Sequence, residues 1–434
     1  MNISKGIKFF IDSNNSWKKI FLIYLIYISL IAFCSFLFAH MFSNKYDVMD
    51  ADNQIILKNI SFAFGELIDN LFNSNGYYHT VNGIKYYLQK LPAVPFLLLF
   101  VSKISLNYFF ILIFKNIIVF SIYFLFSYFL IKDFKNKILF YFILAIPICI
   151  PYNFSVALNY VYEDNLIAIF LPILFLSLIS KNKYRFYVTS FVLFVLYFTK
   201  ASMFLIVSII PIIIIIFEKK SILIIKITPA VASLLAILIW GYFGFINTGK
   251  FPFASSGASN NSFALSFALN EEFSNYYPEK SVDIIPPKEK EPEDTFKSEW
   301  DWYEYHNKRN QIYLKNNLRL YLKDCVKKLK FIFFGIHRDG ALPDENGNYD
   351  NRLRFSLIIS KLIFNISIVL VLLNLFNDFR KKIIVKENLY FVIIVGLNLV
   401  PHLIGWATSK HLVASINISI IYLLLLLFKR NRLI

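Results

Sequence analysis

Long runs of apolar residues alternate with short polar turns along most of this chain. The run at 20–42 is typical, because it carries no charge and is long enough to cross the hydrocarbon core of a bilayer as one helix. Taken together with the charges of the turns, run lengths of about 20 residues predict ten transmembrane helices, at 20–42, 109–131, 138–158, 161–180, 186–199, 201–217, 223–246, 355–376, 388–408 and 411–428.

The turns between these segments alternate in charge. Every second turn is rich in Lys and Arg, and these basic turns lie at 132–137, 181–185, 218–220, 380–382 and 429–432. Because the cytoplasmic turns of membrane proteins carry the excess of Lys and Arg, the pattern predicts that both termini are cytoplasmic. The other turns then face the periplasm or the cell exterior. We therefore expect a multi-pass protein of the plasma (inner) membrane.

Two segments are ambiguous in this topology. Residues 91–102 are uncharged and contain two prolines, but counting them as a span would turn the later basic turns outward. They are therefore predicted to be half-inserted at the outer interface. Residues 186–217 form either one long tilted helix or two helices with a break at Thr199 and Lys200. The alternation of the turns favours two helices.

The spans and turns divide the chain into three parts. An N-terminal membrane module (1–246) contains the first outer loop at 43–106, a large outer loop follows at 247–354, and a C-terminal membrane module closes the chain (355–434). Amphipathic interfacial helices are expected in the first loop and near 305–335. The second has apolar residues at helical spacing that suit a membrane surface, namely Ile312, Leu318, Leu322, Val326, Leu329 and Ile332. The predicted fold class is an all-α polytopic membrane protein.

Composition and charge support this class. The chain is 57% hydrophobic and 17% charged with a mean hydropathy of +0.56, which excludes an ordinary soluble enzyme. A net charge of +17 would suggest nucleic acid as the partner of a soluble protein. Here most of that charge lies in the predicted inner turns, where it orients the helices, so no nucleic-acid partner is expected. Three cysteines are too few for a disulfide framework.

Carboxylates near the predicted outer ends of spans are candidates for chemistry, because an enzyme acting on a lipid-linked substrate works where the lipid head group meets water. Asp50 and Asp52 follow the first span. Such a carboxylate acts as a general base or holds a divalent metal, although a solvated acidic turn is the ordinary alternative. Glu163 and Asp164 begin the fourth span, where the helix dipole alone favours acidic residues.

Basic residues in the short outer turns are the second group of candidates. Lys200 and the adjacent Lys410 and His411 are suited either to binding a phosphate or to snorkelling towards the interface. His402, within the ninth span, is either a buried hydrogen-bonded histidine or part of the same site. Lys115, about two turns into the second span, is expected to snorkel.

Several sequence features follow one another in a recognisable order. Residues 49–78 of the first outer loop contain acidic residues and a Gly-Tyr-Tyr stretch, and KLPAVPFLLLF follows at 90–100. Glu163 then begins a span, a short helix ends in Lys200 (LYFTKASMFL, 196–205), and a His precedes a basic pair (PHLIGWATSKHL, 401–412). This order resembles that of the membrane-embedded GT-C glycosyltransferases related to protein O-mannosyltransferases and to the aminoarabinose transferases of lipid A.

The resemblance implies an inverting transfer of a sugar, on the outer face of the membrane, from a polyprenyl-phosphate donor to a lipid, glycan or protein acceptor. It implies a catalytic base at Asp50, with Asp52 as the competing candidate. It also implies donor-phosphate binding by three basic groups, Lys200, Lys410 and His411. The sugar or acceptor is expected to contact Glu163, Asp164 and His402. No organic cofactor is expected, and a divalent metal is an open alternative.

This chain departs from the family pattern at its basic positions. Lys90, Lys200 and Lys410 stand where such families usually have arginine. Lysine keeps the charge of arginine but lacks its planar, bidentate fork. Phosphate binding through these positions would therefore rely on a point charge.

Two other functions are compatible with parts of the sequence. A lipid-linked oligosaccharide polymerase or ligase would rely on arginines and histidines of the large outer loop, which offers His306, Arg309, His337 and Arg338, followed by Asp339. A flippase or transporter should show ionisable residues near mid-membrane and repeated halves. Most charges lie instead at span ends, and no internal repeat is evident in the sequence.

Overall fold

The computed structural model describes residues 17–42, 56–57, 63–81, 83–131, 137–150, 163–218, 222–252, 296–334, 351–383, 385–404 and 412–430. These ranges are almost wholly helical, and the strands within them form one short antiparallel pair, β1 (His79–Val81) and β2 (Ile84–Tyr86). The predicted all-α class is confirmed.

The helices are labelled in chain order. They are α1 (Trp17–Phe42), α2 (Ala63–Phe72), α3 (Ala93–Ser102), α4 (Tyr108–Ile131), α5 (Lys137–Cys149), α6 (Asp164–Ile179), α7 (Arg185–Tyr197), α8 (Phe204–Phe217), α9 (Leu223–Thr248), α10 (Glu299–Phe334), α11 (Asn351–Arg380), α12 (Lys386–Ile404) and α13 (Val413–Arg430). Five of the described helices contain a segment long and apolar enough to cross a bilayer, namely α1, α4, α9, α11 and α12. Shorter apolar helices accompany them.

Helix α6 lies at the centre of the described bundle. Every residue from Asp164 to Leu178 is buried, and α6 packs against α4, α7, α12 and α13. Its sequence is apolar on all sides, as expected for a helix surrounded by others. By contrast, α9 leaves large apolar side chains exposed along its length, including Leu234, Leu238 and Tyr242. Such a surface is suited to lipid.

Helices α7 and α8 form an antiparallel hairpin. Arg185, the first residue of α7, contacts Glu218, which directly follows α8, with Nη2 2.6 Å from Oε2. Lys200 lies at the opposite end of the hairpin in an extended conformation (φ −154°, ψ 140°). The alternative of one long tilted helix is therefore wrong, and the expected break at Thr199 and Lys200 is present.

Helix α3, in the ambiguous segment 91–102, starts and ends without crossing the bundle. Its ten residues are about 15 Å long, and the N–H of Ala93 donates to the carbonyl of Phe198 beside Lys200 (3.0 Å). The next helix, α4, ends at the other side of the bundle, where Ser180 Oγ and Asn182 Nδ2 donate to its last carbonyls. Because α4 is 24 residues long and ends at that side, it begins near the Lys200 side of the bundle. Helix α3 therefore lies at the Lys200 end of the bundle and does not cross it, and its half-insertion in the membrane stays a prediction.

The structure differs from the sequence predictions for Lys115 and for helix α10. Lys115 does not snorkel: it is 3% exposed, because α1 packs on the same stretch of α4, where Asn116 Nδ2 donates to Ser35 Oγ (3.0 Å). Helix α10 begins at Glu299, earlier than expected, and deviates from helical geometry at Asn317. Most of its apolar stripe is exposed, as an interfacial helix requires, but Ile332 is buried in the bundle.

A buried carboxylate holds three helices together at the end of the bundle opposite Lys200. Glu218 is 4% exposed and accepts hydrogen bonds from Arg185, from Lys386 Nζ (2.6 and 2.7 Å) and from the Tyr390 hydroxyl (3.1 Å). These four residues are called the Glu218 cluster. Burial raises the pKa of the Glu218 carboxyl, but the bonds from Lys386 and Arg185 outweigh it, so its pKa lies below the ordinary value.

We expect Glu218→Gln to lower stability by about 3–5 kcal/mol, because it leaves Arg185 and Lys386 facing each other without their shared anion. Thermal unfolding of the detergent-solubilised protein measures the change. Since the folded-state pKa of Glu218 lies below its unfolded value, its contribution is present at neutral pH and is lost as the pH falls through the folded-state pKa.

The matched control is Glu304→Gln. Glu304 also pairs with a lysine, Lys250, but the two side chains are 64% and 50% exposed, so removing this charge should change stability by less than about 1 kcal/mol. Equal destabilisation by the two substitutions would show that burial of the Glu218 cluster has no particular importance.

Candidate functional site

The candidate site is built around an ion pair between two residues that the sequence singled out. Lys200 Nζ lies 2.8 Å from Asp164 Oδ1, and the two side chains are 14% and 6% exposed. Asp164 is the first residue of α6, where backbone N–H groups and the helix dipole favour a negative charge. A charge-assisted hydrogen bond at this burial fixes the position of the Lys200 ammonium.

The local sequence explains why the chain breaks at this point. The Thr199 hydroxyl donates back to the carbonyl of Val195 (2.8 Å), which satisfies one acceptor at the end of α7. Lys200 is then extended, and the short 3₁₀ turn Ala201–Met203 leads into α8. The break therefore carries the Lys200 side chain away from the α7 axis and towards the start of α6.

The first outer loop packs against the same end of the bundle. The Tyr77 hydroxyl donates to the carbonyl of Lys90 (2.7 Å), and its ring contacts the rings of Phe96, Trp240 and Phe243. The loop is thus fixed between α3 and the end of α9. Together with the bond from Ala93 to Phe198, these contacts hold residues 77–93 next to the Lys200 break.

Glu163 interacts electrostatically with Tyr77 of this loop. Burial is the first cause that raises the pKa of the Tyr77 hydroxyl, and the negative charge of Glu163 is the second. The two groups are therefore within electrostatic range of each other, across the junction between the first outer loop and α6. Glu163, Asp164 and Lys200 thus lie at one end of the bundle.

An apolar groove lies among the helices that carry the ion pair. Its volume is about 490 Å³, and it lies between α3, α4, α6, α7 and α9. Its lining is apolar throughout and includes Phe96, Phe170 and Phe194. It also includes Leu166 and Phe198, each only two residues from a member of the Lys200–Asp164 pair. The groove wall therefore includes close sequence neighbours of both members of the ion pair, and apolar helices form the rest of it.

Glu299 joins the two outer loops, and sequence reasoning missed it. Its carboxylate is 2% exposed and accepts hydrogen bonds from the N–H groups of Tyr87 (2.8 Å) and Leu88 (2.9 Å) and from the Tyr303 hydroxyl. Burial outweighs these bonds and raises the pKa of the Glu299 carboxyl. The acidic start of α10 was visible in the sequence, but nothing in it indicated partners more than 200 residues away.

The beginning of α10 also contacts the end of α9. Trp300 Nε1 donates to Thr248 Oγ1 (2.8 Å). The chain reverses at Gly249, whose φ of +72° favours glycine. A Cβ on Gly241 would lie 1.9 Å from the Phe251 ring, so this helix face must be small for the returning chain to pack on it.

His402 lies at the same end of the bundle as Lys200. The opposite end of its helix, α12, is fixed by Lys386 in the Glu218 cluster, while α12 also packs against the 3₁₀ turn that follows Lys200. His402 is 6% exposed, which agrees with a buried, hydrogen-bonded histidine. Its position leaves both interpretations made from the sequence open.

The remaining predicted site residues lie outside the described residues. These are Asp50, Asp52, Lys410 and His411, together with His337, Arg338 and Asp339 of the alternative function. Within the described ranges, no group of three or more His, Cys, Asp or Glu side chains is arranged to hold a metal ion. The described part of the site therefore consists of Glu163, Asp164, Lys200, the groove and the neighbouring outer loops.

We expect Glu299→Gln to loosen the contact between the outer loops. Glutamine has one acceptor oxygen in place of two, so a buried N–H of Tyr87 or Leu88 loses its partner at a cost of about 1–3 kcal/mol. Hydrogen exchange at Tyr87 and Leu88 should become at least tenfold faster. Glu66→Gln is the control, because Glu66 is half-buried and accepts a bond from the Thr80 N–H (2.9 Å) outside the contact between the loops. Unchanged exchange in the Glu299 variant would contradict the proposed role.

Comparison with known proteins gives no relative: no protein-family model, no curated protein and no solved structure matches this chain.

Proposed function

We propose that this protein is an integral membrane glycosyltransferase that moves a sugar from a polyprenyl-phosphate donor to a lipid, glycan or protein acceptor. The observation that carries the proposal is the apolar groove whose lining includes Leu166 and Phe198, each two residues from a member of the Lys200–Asp164 pair. The order of sequence features that resembles the GT-C glycosyltransferases supports the same reaction class.

The groove and the ion pair together suit an amphiphilic donor. A polyprenyl phosphate combines a long apolar chain with a negatively charged head, and the groove walls offer only apolar contacts. Lys200 offers an ammonium, which binds phosphate as a point charge. Asp164 holds that ammonium in place through the 2.8 Å contact. When the donor binds, a phosphate oxygen contacts Lys200 in addition to Asp164. Lys410 and His411 are further candidates for binding the donor phosphate.

The proposed reaction is a single displacement. The carboxylate of Asp50, or of Asp52, takes the proton of the acceptor hydroxyl as its oxygen attacks the anomeric carbon. The bond between that carbon and the phosphate oxygen breaks, and the polyprenyl phosphate leaves with the electron pair. Lys200 stabilises the negative charge on this leaving group. Attack opposite the leaving group inverts the anomeric configuration, while Glu163 and His402 orient the sugar or the acceptor.

The proposed topology follows from the two ends of the bundle. We count ten spans, the five long helices plus α5, α6, α7, α8 and α13, and treat α2, α3 and α10 as interfacial. The described basic turns contain Lys181, Lys183 and Lys381 and lie at the Glu218 end. Because such turns are cytoplasmic, the Lys200 end faces the periplasm or the exterior. The proposed location is the plasma membrane.

Substitution of the candidate bases tests the reaction directly. We expect Asp50→Asn to lower the transfer rate by at least about 100-fold, because general base catalysis contributes factors of about 10²–10⁴. The assay uses the purified protein, polyprenyl-phosphate sugars and envelope acceptors, with Asp52→Asn measured in parallel. Asp69→Asn, in helix α2 of the same loop, is the control and should keep the wild-type rate. Wild-type rates in both the Asp50 and Asp52 variants would exclude these residues as bases.

Substitution of Lys200 tests donor binding. We expect Lys200→Gln to lower kcat/KM for the donor about 10–100-fold, because one charge-assisted hydrogen bond to the phosphate is worth about 1.5–3 kcal/mol. Lys200→Arg should restore part of the loss. The control is Lys250→Gln, which removes an exposed cation at the same end of the bundle and should leave kcat/KM unchanged. A donor phosphate that contacts Arg309 instead would favour the polymerase or ligase alternative.

A further inference from the structure

A second cavity lies at the Glu218 end of the bundle, remote from the proposed transfer site. Its volume is about 640 Å³, and it is bounded by the turn between α6 and α7 and by the starts of α9 and α12. Four cationic side chains line it, Lys181, Lys183, Arg185 and Lys386. Glu387 is the acidic residue of the described lining. The proposed reaction uses none of these residues.

The Glu218 cluster organises the positive charge of this cavity. Arg185 Nη2 and Lys386 Nζ both contact the Glu218 carboxylate at 2.6 Å, and Arg185 Nη1 also donates to the carbonyl of Ser180 (3.0 Å). Arg185 is therefore fixed by the fold. The Lys386 side chain is 47% exposed despite its contact with Glu218, and Lys181 and Lys183 are exposed on the neighbouring turn. The cavity thus has an excess of positive charge on a preorganised wall.

The opposite wall is apolar and continues into a lipid-facing surface. Ile222 and Ile225 line the cavity, and Ile222 is 68% exposed. The next residues of α9, Leu223 and Ile224, are 57% and 76% exposed. A free inorganic anion needs no apolar wall, whereas a phospholipid presents a phosphate directly joined to acyl chains. Basic pockets between membrane helices on the cytoplasmic side are suited to such head groups.

We propose that this cavity binds the head-group phosphate of an anionic phospholipid. The phosphate lies among Lys181, Lys183 and Lys386, and the acyl chains run along the exposed apolar face at the start of α9. The bound lipid thereby connects the turn between α6 and α7 and the start of α12, which the Glu218 cluster already holds together, to the start of α9. Binding is expected to stabilise the folded protein, because the unfolded chain has no such pocket.

The test compares two double variants of the full-length protein in detergent. Lys181→Gln with Lys183→Gln removes two exposed charges from the cavity, whereas Arg380→Gln with Lys381→Gln removes two charges from the end of α11, outside its lining. Native mass spectrometry measures the affinity for short-chain phosphatidylglycerol. We expect the cavity variant to bind at least about tenfold more weakly, since each lysine near an anionic head group contributes about 1 kcal/mol, and we expect the control to match the wild type.

Two further probes identify the source of the phosphate. Phosphatidylcholine of the same chain length should bind at least tenfold more weakly than phosphatidylglycerol, and inorganic phosphate should not displace phosphatidylglycerol at equal concentration. Equal losses in both double variants would overturn the proposal, because they would indicate attraction to the whole basic surface. Unchanged binding by the cavity variant would also overturn it, as would displacement by inorganic phosphate. Because the test uses no transfer assay, it is independent of the proposed glycosyltransferase activity.

Discussion

The arrangement of the bundle depends most on the contacts of one buried carboxylate, that of Glu218. A negative charge among apolar helices is costly unless it is paired, and here Arg185 and Lys386 both contact it at 2.6 Å. Because Arg185 begins α7 and Glu218 ends α8, the contact closes a hairpin. Lys386 adds the start of α12. Because these helices are joined at one end, their other ends lie together at the opposite side of the bundle. Lys200 and His402 lie at that opposite side.

At that opposite side, three widely separated parts of the chain meet through buried polar contacts. Asp164 holds Lys200, Ala93 bonds to Phe198, and Glu299 accepts the N–H groups of Tyr87 and Leu88. Polar groups in such surroundings are costly when unpaired, so each contact specifies one arrangement of its partners. The proposed site is therefore a junction between the membrane bundle and both outer loops.

The sequence predicted the elements better than their contacts. The helices could be predicted because long uninterrupted apolar runs are typical of membrane helices, and the alternation of charge in the turns favoured a break at Lys200. The Glu299 contacts could not be predicted, because its carboxylate accepts bonds from backbone N–H groups. Almost every residue has such a group, so the side chains of the partners do not indicate the contact. The prediction for Lys115 was wrong for a related reason: snorkelling depends on whether a neighbouring helix covers the side chain. Among the predicted site residues, Glu163, Asp164, Lys200 and His402 share one end of the bundle, and the roles of Asp50 and Asp52 stay predictions.

The shortness of the α7–α8 hairpin has a consequence for access. Its helices contain 13 and 14 residues, so each is about 20 Å long, whereas the hydrocarbon layer is about 30 Å thick. In the proposed topology the Glu218 end lies at one boundary of that layer, so these two helices alone do not reach the other boundary. The proposed transfer would then take place below the level of the head groups, which favours slender or lipid-attached acceptors over the surface of a folded globular protein.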